Sequence, residues 1–388
     1  MSKAREDELG TNPPEDNTPH ILQDLISNTS AGVLTALVAW IANEAGLSST
    51  DIALARAEVA ADLTRAKWTE AGPQLGFNED PLAVELKVYS PLYCFLPSIV
   101  HREIFVRAWH ALDAFEESFL HHEDDIGFRL LDIYIIPTIA PFGGRVVDRP
   151  RVSVQRNSND FSVGDGVEHQ IVASGRIIVI IMRAEHEEKE GQFLARAFLS
   201  LLAAHKQNDK EMGSQCRIHA VVSDMFHFHF YSYEPSTNKF CVDVQIVVGS
   251  KRENNLLDMI DVTNKLFSAI FDGYYEVIKS MSKSGNKGKG SFCGRRPAPE
   301  WEDAFRHAEQ CRKSFQGHGG SISKTDQKSR DALKHLAESV RCHPCYSRTT
   351  AKVDVPAPDR LSGLARCTVE EWYTSRVQQN GSTLTANN

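Results

Sequence analysis

Long apolar runs are scarce in this chain. The longest near the N-terminus, Ala31 to Ala42 (AGVLTALVAWIA), ends after 12 residues at Asn43 and Glu44. A membrane-crossing helix needs about 20, so this run predicts a buried helix and no membrane span. The N-terminus also lacks the basic leader and small-residue cleavage site of a secretory signal. Without that leader, the eight scattered cysteines read as reduced thiols, and the chain is expected inside the cell, in cytoplasm or nucleus. No segment repeats at a fixed period, which argues against solenoids and propellers. The stretch GKGSFCGRR lacks Walker spacing and a following apolar helix. A second Cys-x-x-Cys is missing as well. CHPC (Cys342 to Cys345) is therefore half of a zinc site, with Cys311, Cys367, His318 or His343 to complete it, and ordinary thiols are the simpler reading.

Apolar residues make up 41% of the chain and charged residues 24%, the balance of a soluble protein able to bury a sizeable core. Charge is spread unevenly. From Lys279 onward there are 19 Lys and Arg against 11 Asp and Glu, a local net of +8, and the remainder carries −16. An acidic body with a basic tail fits either contact with nucleic acid or docking of the tail on its own body.

Residues 1–20 are polar and aperiodic, and disorder is expected there. Residues 21–98 read as a helical region, in which Ser48, Ser49, Thr50 and Asp51 offer caps and Ile52, Ala55, Val59 and Leu63 recur at helical spacing. Residues 99–280 read as an α/β core. It opens with a helix from Ser98 to His122, after which LLDIYII (130–136) and RVSVQ (151–155) read as strands separated by the turn-rich PTIAPFGGRVVDRP. VEHQIV and RIIVIIMR, joined by ASG, form a hairpin whose second strand is apolar on both faces, as an interior strand is. An amphipathic helix over about 187–206 follows, with Leu194, Ala197, Phe198, Leu201, Leu202 and His205 along its apolar stripe. RIHAVVS, FHFHFYSY and KFCVDVQIVV then read as strands, and a helix from about Glu253 to Ile278 closes the module. Residues 281–300 read as a Gly/Ser/Lys linker. Residues 301–388 read as a basic, partly disordered tail of short helices that adds little to the core. The predicted class is α/β (α+β), a mixed central sheet with flanking helices.

This order of elements over about 99–280, with GRIIVIIMRAEHEEKEGQFLARAF at its centre, resembles the core of the PD-(D/E)XK nuclease superfamily. More closely, it resembles the divergent nuclease-like domains of uncharacterised fungal proteins. The resemblance implies a restriction-endonuclease-like core in which two carboxylates hold a magnesium ion and a lysine helps generate hydroxide. Laid on this chain, the motif puts His169 at the Asp position, Ile181 at the Glu position, Arg183 at the Lys position and Gln192 at the helix Gln. Isoleucine binds no metal, and arginine is too basic to accept a proton. Ile181, Arg183 and Glu185 share a strand face at period two, so Glu185 is a substitute ligand, with Asp165 or Glu168 as the second carboxylate. The simpler reading of 185–190 is a solvated, acidic helix start.

Other groups have ligand chemistry with a plainer explanation. His227 and His229 fit the wet face of a half-exposed strand, His121 to Asp125 a solvated turn, and Gly164 to Gly166 a turn. Lys283, Lys287, Lys289, Arg295 and Arg296 can bind phosphate backbones without sequence preference, or serve only as a solvated linker. The expected function is a nuclease-fold-like domain with a degenerate metal site. It would be a non-catalytic module that binds nucleic acid, through Arg183 and the basic linker, or protein. No cofactor is expected, magnesium only if the site is active. The alternatives are an active metal-dependent nuclease with migrated ligands, and an α/β interaction protein unrelated to nucleases.

Overall fold

The computed structural model describes residues 67–114, 124–150, 167–184, 190–212, 215–249, 251–284, 299–316 and 322–344. The expectations for 1–66, for the strand at 151–155, and for Asp165, Glu185, Lys287, Lys289, Arg295, Arg296, His318, Cys345 and Cys367 lie outside them. Among the described residues no helix is long and apolar enough to cross a membrane.

The described chain divides into two units. The smaller combines residues 67–85 with 190–199. Its helix α1 (Trp68–Gln74) brings Trp68 against Phe77 and Phe198, all three ring centroids 5.8–5.9 Å apart. The indole N–H donates to the Asn78 carbonyl at 2.8 Å, which satisfies the one polar atom of that ring as it is buried.

The larger unit is a mixed α/β structure around a seven-stranded sheet. Its strands are β1 (Lys87–Val88), β2 (Val146–Pro150), β3 (Val167–Ala173), β4 (Arg176–Arg183), β5 (Ile218–Ser223), β6 (His227–Glu234) and β7 (Lys239–Val247), in the order β1-β7-β6-β5-β4-β3-β2. β2, β3 and β4 form an antiparallel meander. Helix α4 (Glu190–Met212) crosses over, so β5 returns parallel to β4, and β5, β6 and β7 form a second meander. β4 is interior, as its two-sided apolar run demands, with every residue but Arg183 buried. Its hairpin with β3 closes through Ser174 (φ 51°) and Gly175 (φ 83°), the positive-φ pair that matches the twist of the flanking strands.

Helices α2 (Ser98–Ala114), α3 (Asp124–Ile139), α5 (Arg252–Ser284), α6 (Pro299–Gln316) and α7 (Ile322–Cys342) complete the unit. One hydrophobic cluster joins Ile171, Val179, Ile181, Val221 and Phe230 of the sheet to Leu131 and Ile135 of α3 and to Ile270 and Tyr274 of α5. On α4, Asn208 donates to the Ile177 carbonyl and accepts from its amide, both at 2.8 Å. That pair satisfies a sheet amide and carbonyl that would otherwise be buried unmet.

Four expectations are corrected. LLDIYII is not a strand but the middle of α3, where Leu130, Leu131, Tyr134, Ile135 and Thr138 are buried at helical spacing. The turn-rich stretch after it holds the end of α3, a short helical turn at Ala140–Phe142 and strand β2. Within 21–98, the segment from Leu86 belongs to the sheet unit and is extended, not helical. Its Cys94 and Leu96 amides donate to Ser268 Oγ (2.8 Å) and Asn264 Oδ1 (2.9 Å) of α5, and Tyr93 donates to Asp261 at 2.7 Å. Helices α6 and α7 are core rather than appendage: Trp301, Ala304, Cys311, Phe315, Ala332, Leu336 and Val340 all enter the hydrophobic cluster. The expected linker at 281–300 is helical at both ends, because α5 runs to Ser284 and α6 starts at Pro299.

Candidate functional site

The register of β3 on β4 sets His169 directly opposite Ile181, and Arg183 ends β4 two residues further on. The structure thus brings together the strand positions at which the resemblance puts the metal motif. Ile181 is 1% exposed and sits in the apolar cluster. Arg183 is half-buried and carries no lone pair for a cation. Of these positions only His169 offers a ligand atom, so the magnesium ion that the resemblance implies does not fit them. Gln192 is exposed on the first turn of α4 and belongs to the smaller unit. Glu168 is half-buried where the β3–β4 register shifts between Val167 and His169.

Two carboxylates do meet His169, and neither follows from the motif. Pairing of Asp148 with Ile171 and of Pro150 with His169 places Asp148 and His169 on one sheet face, on adjacent strands. Helix α3 turns Leu131 and Ile135 into the core and so holds Asp132 at the edge of that face. His169 Nδ1 lies 2.8 Å from Asp148 Oδ2, and its Nε2 lies 3.7 Å from Asp132 Oδ1. One potential ligand atom from each of the three lies within 4.8 Å of the other two, and no other such group of His, Cys, Asp and Glu occurs among the described residues. His169 is 5% exposed. The Asp148 and Asp132 side chains are 18% and 48% exposed, so the cluster opens towards solvent on the α3 side. Asp148 Oδ1 is buried and has no hydrogen-bond partner among the described residues. Burial holds the Asp132 carboxyl above the usual carboxylate range; His169 pulls it down and the charge of Asp148 pushes it up. The only sequence signals are single aspartates, in LLDIYII and in RVVDRP, and the convergence depends on the first run being helix α3 rather than a strand.

Several of the remaining candidates take structural roles. Cys311 is buried in the core with its thiol pushed up by burial. His343, beside Cys342, turns its Nε2 to Ser174 Oγ at 2.8 Å, a contact no spacing foretold. His227 packs its Nδ1 3.0 Å from Asp224 Oδ2, whose other oxygen accepts from the Phe226 and His227 amides, closing the β5–β6 turn. His229 lies parallel to the Tyr231 ring, and burial and then His227 push its pKa down. Lys283 is exposed near the end of α5. Cys94, Cys216, Cys241, Cys311 and Cys342 are free thiols.

No family model, curated protein or solved structure matches this chain.

Proposed function

We propose that this chain is a nuclease-like α/β domain that has lost the chemistry of its motif and works by binding, with a nucleic-acid backbone as its partner. The observation that carries the reading is the His169–Ile181 pair: an apolar, buried side chain stands where a catalytic carboxylate would hold the cation. The topology supports the frame, since a helix (α3), an antiparallel three-stranded meander (β2-β3-β4), a crossover helix (α4) and a parallel strand (β5) follow in the order the nuclease core uses. The basic stretch from Lys279 supplies the phosphate contacts, Lys283 among them. Free thiols fit an intracellular compartment, cytoplasm or nucleus.

The test incubates the purified full chain with single- and double-stranded DNA and RNA in magnesium or manganese. The expected outcome is retention of nucleic acid at low salt and no cleavage in either metal. A second reading, active hydrolysis with migrated ligands, draws its support from the convergence of Asp132 and Asp148 on His169. Cleavage that disappears in Asp148→Asn would establish it, and cleavage that disappears in Glu185→Ala would assign the ligand role there instead. Failure to retain any nucleic acid would return the module to protein partners.

A further inference from the structure

We infer that Arg176 anchors a binding site for one small oxyanion, a carboxylate or a phosphate, at the end of the sheet where β4 begins. The inference goes beyond the binding function proposed above and does not depend on it.

Arg176 opens β4 directly after the β3–β4 turn and is 5% exposed. A guanidinium keeps its charge, and a buried charge is costly unless a group of opposite sign meets it. Among the described residues none does. Nη1 donates to Ser280 Oγ at 2.6 Å and reaches Cys216 Sγ at 3.7 Å, while Nη2 reaches Met281 Sδ at 3.9 Å. These acceptors are neutral, and sulfur is a weak one. Nε is buried without a hydrogen-bond partner, and no carboxylate pairs with Arg176 among the described residues. Ser280 and Met281 lie near the end of α5 at Ser284. The helix dipole there offers about half a negative charge, spread over the last unmet carbonyls, so a full compensating charge is still missing.

The unmet donors also share an edge. Nε–H and one N–H of Nη2 run parallel in the guanidinium plane, the side-on fork that takes two oxygens of one carboxylate or phosphate. Ser280 occupies the other side, on Nη1. The edge left without an oxygen is therefore the one shaped for a bidentate oxyanion. Buried donors are nearly always met, and here the missing partner has a defined charge and shape. Access is short: Gly175 is exposed, and Ser280 and Met281 are half-buried. Methionine is unbranched and adaptable, so its sulfur can swing off Nη2 and admit an anion from the α5 side.

The experiment follows thermal unfolding of the full chain in sodium phosphate, acetate or chloride at constant ionic strength. Anions excluded from the protein surface stabilise the fold without saturating, whereas a site saturates. The expected result is a midpoint that rises and levels off with phosphate, acetate or both, and stays flat with chloride. Saturation with phosphate alone would give the site to phosphates, and with acetate alone to carboxylates. Arg176→Met keeps an apolar stem and removes the fork, and it should lose the saturating rise. Arg176→Lys keeps the charge without the fork, and should need at least tenfold more anion for half the shift. No saturating rise in the parent, or the same rise in Arg176→Met, would overturn the site. Should Arg176→Met fail to fold, an unaltered half-point in Arg176→Lys would overturn it instead. Absence of nucleic-acid binding in the same preparation would bear only on the proposed function.

Discussion

His343 is the side chain whose ionisation the fold constrains most visibly. Its Nδ1 donates to the Pro344 carbonyl at 3.0 Å and its Nε2 accepts from Ser174 Oγ at 2.8 Å. The Trp301 ring packs edge-on to it at 4.7 Å. Both nitrogens are thereby used by a neutral ring, and among the described residues no carboxylate acts on it to welcome a second proton. Burial pushes its pKa from 6.5 down to about 4. The unfolded chain therefore takes up a proton near pH 6.5 while the native chain resists until about pH 4. Between those values the unfolded state binds more protons, so stability rises with pH. The contribution is complete above about pH 6.5 and is lost as pH falls through the window, with a ceiling of about 3 kcal/mol at 1.36 kcal/mol per pH unit. Burial pushes His101 and His205 down as well, in the same direction. Urea midpoints measured from pH 7.5 to pH 4.5 should fall steeply in the parent and less in His343→Gln. Parallel curves would remove His343 from the account.

At the scale of the element, α5 and β4 meet closely. A methyl group at Gly273 would lie 2.7 Å from Ile178 Cβ, and backbone-bound carbons on both sides cannot swing away. Alanine is about 1 kcal/mol better than glycine inside a helix, yet overpacking costs about 1–3 kcal/mol. Gly273→Ala should therefore lower stability, by up to about 2 kcal/mol net, and a raised urea midpoint would contradict the close packing. Nothing in GYYEVIK announced this contact, because it depends on which face of α5 meets the sheet. The strands were more open to reading. RIIVIIMR coincides with β4, since β-branched residues bounded by a small turn leave few alternatives. LLDIYII is ambiguous because a short buried apolar run has no period that separates strand from helix. Only the full stripe from Leu130 to Thr138 reveals the helical spacing, and Asp132 inside it came to light with the helix. His169 could be placed on its strand from sequence. Its partners could not, because Asp148 depends on the register of β2 and Asp132 on the docking of α3.

For the whole molecule, the tail divides into two kinds of sequence that composition alone had merged. Helices α6 and α7 are charged on one side and apolar on the other, and their apolar side supplies Trp301, Phe315 and Leu336 to the core; mean composition hid that stripe. Their charges pair locally, as Arg330 does with Asp326 and Arg341 with Glu338, so they offer less to a distant anion. The stretch Lys279–Arg296 differs, with six basic residues and no acidic one. Lys279 is already paired with Glu276 at 2.9 Å, and the other five basic residues of the stretch are Lys283, exposed on α5, and Lys287, Lys289, Arg295 and Arg296, which lie outside the described residues. Each duplex phosphate neutralised adds about 0.9 to the slope of log affinity against log salt, so five contacts would set a slope of about −4.5 at most. Replacing all five by glutamine should abolish retention of duplex DNA at 50 mM salt and flatten the slope towards zero, leaving the core's thermal unfolding unchanged. Retention that persists with an unaltered slope would assign the phosphate contacts to another surface. A gain in affinity would mean that the basic stretch had been held on the acidic body and competed with the nucleic acid.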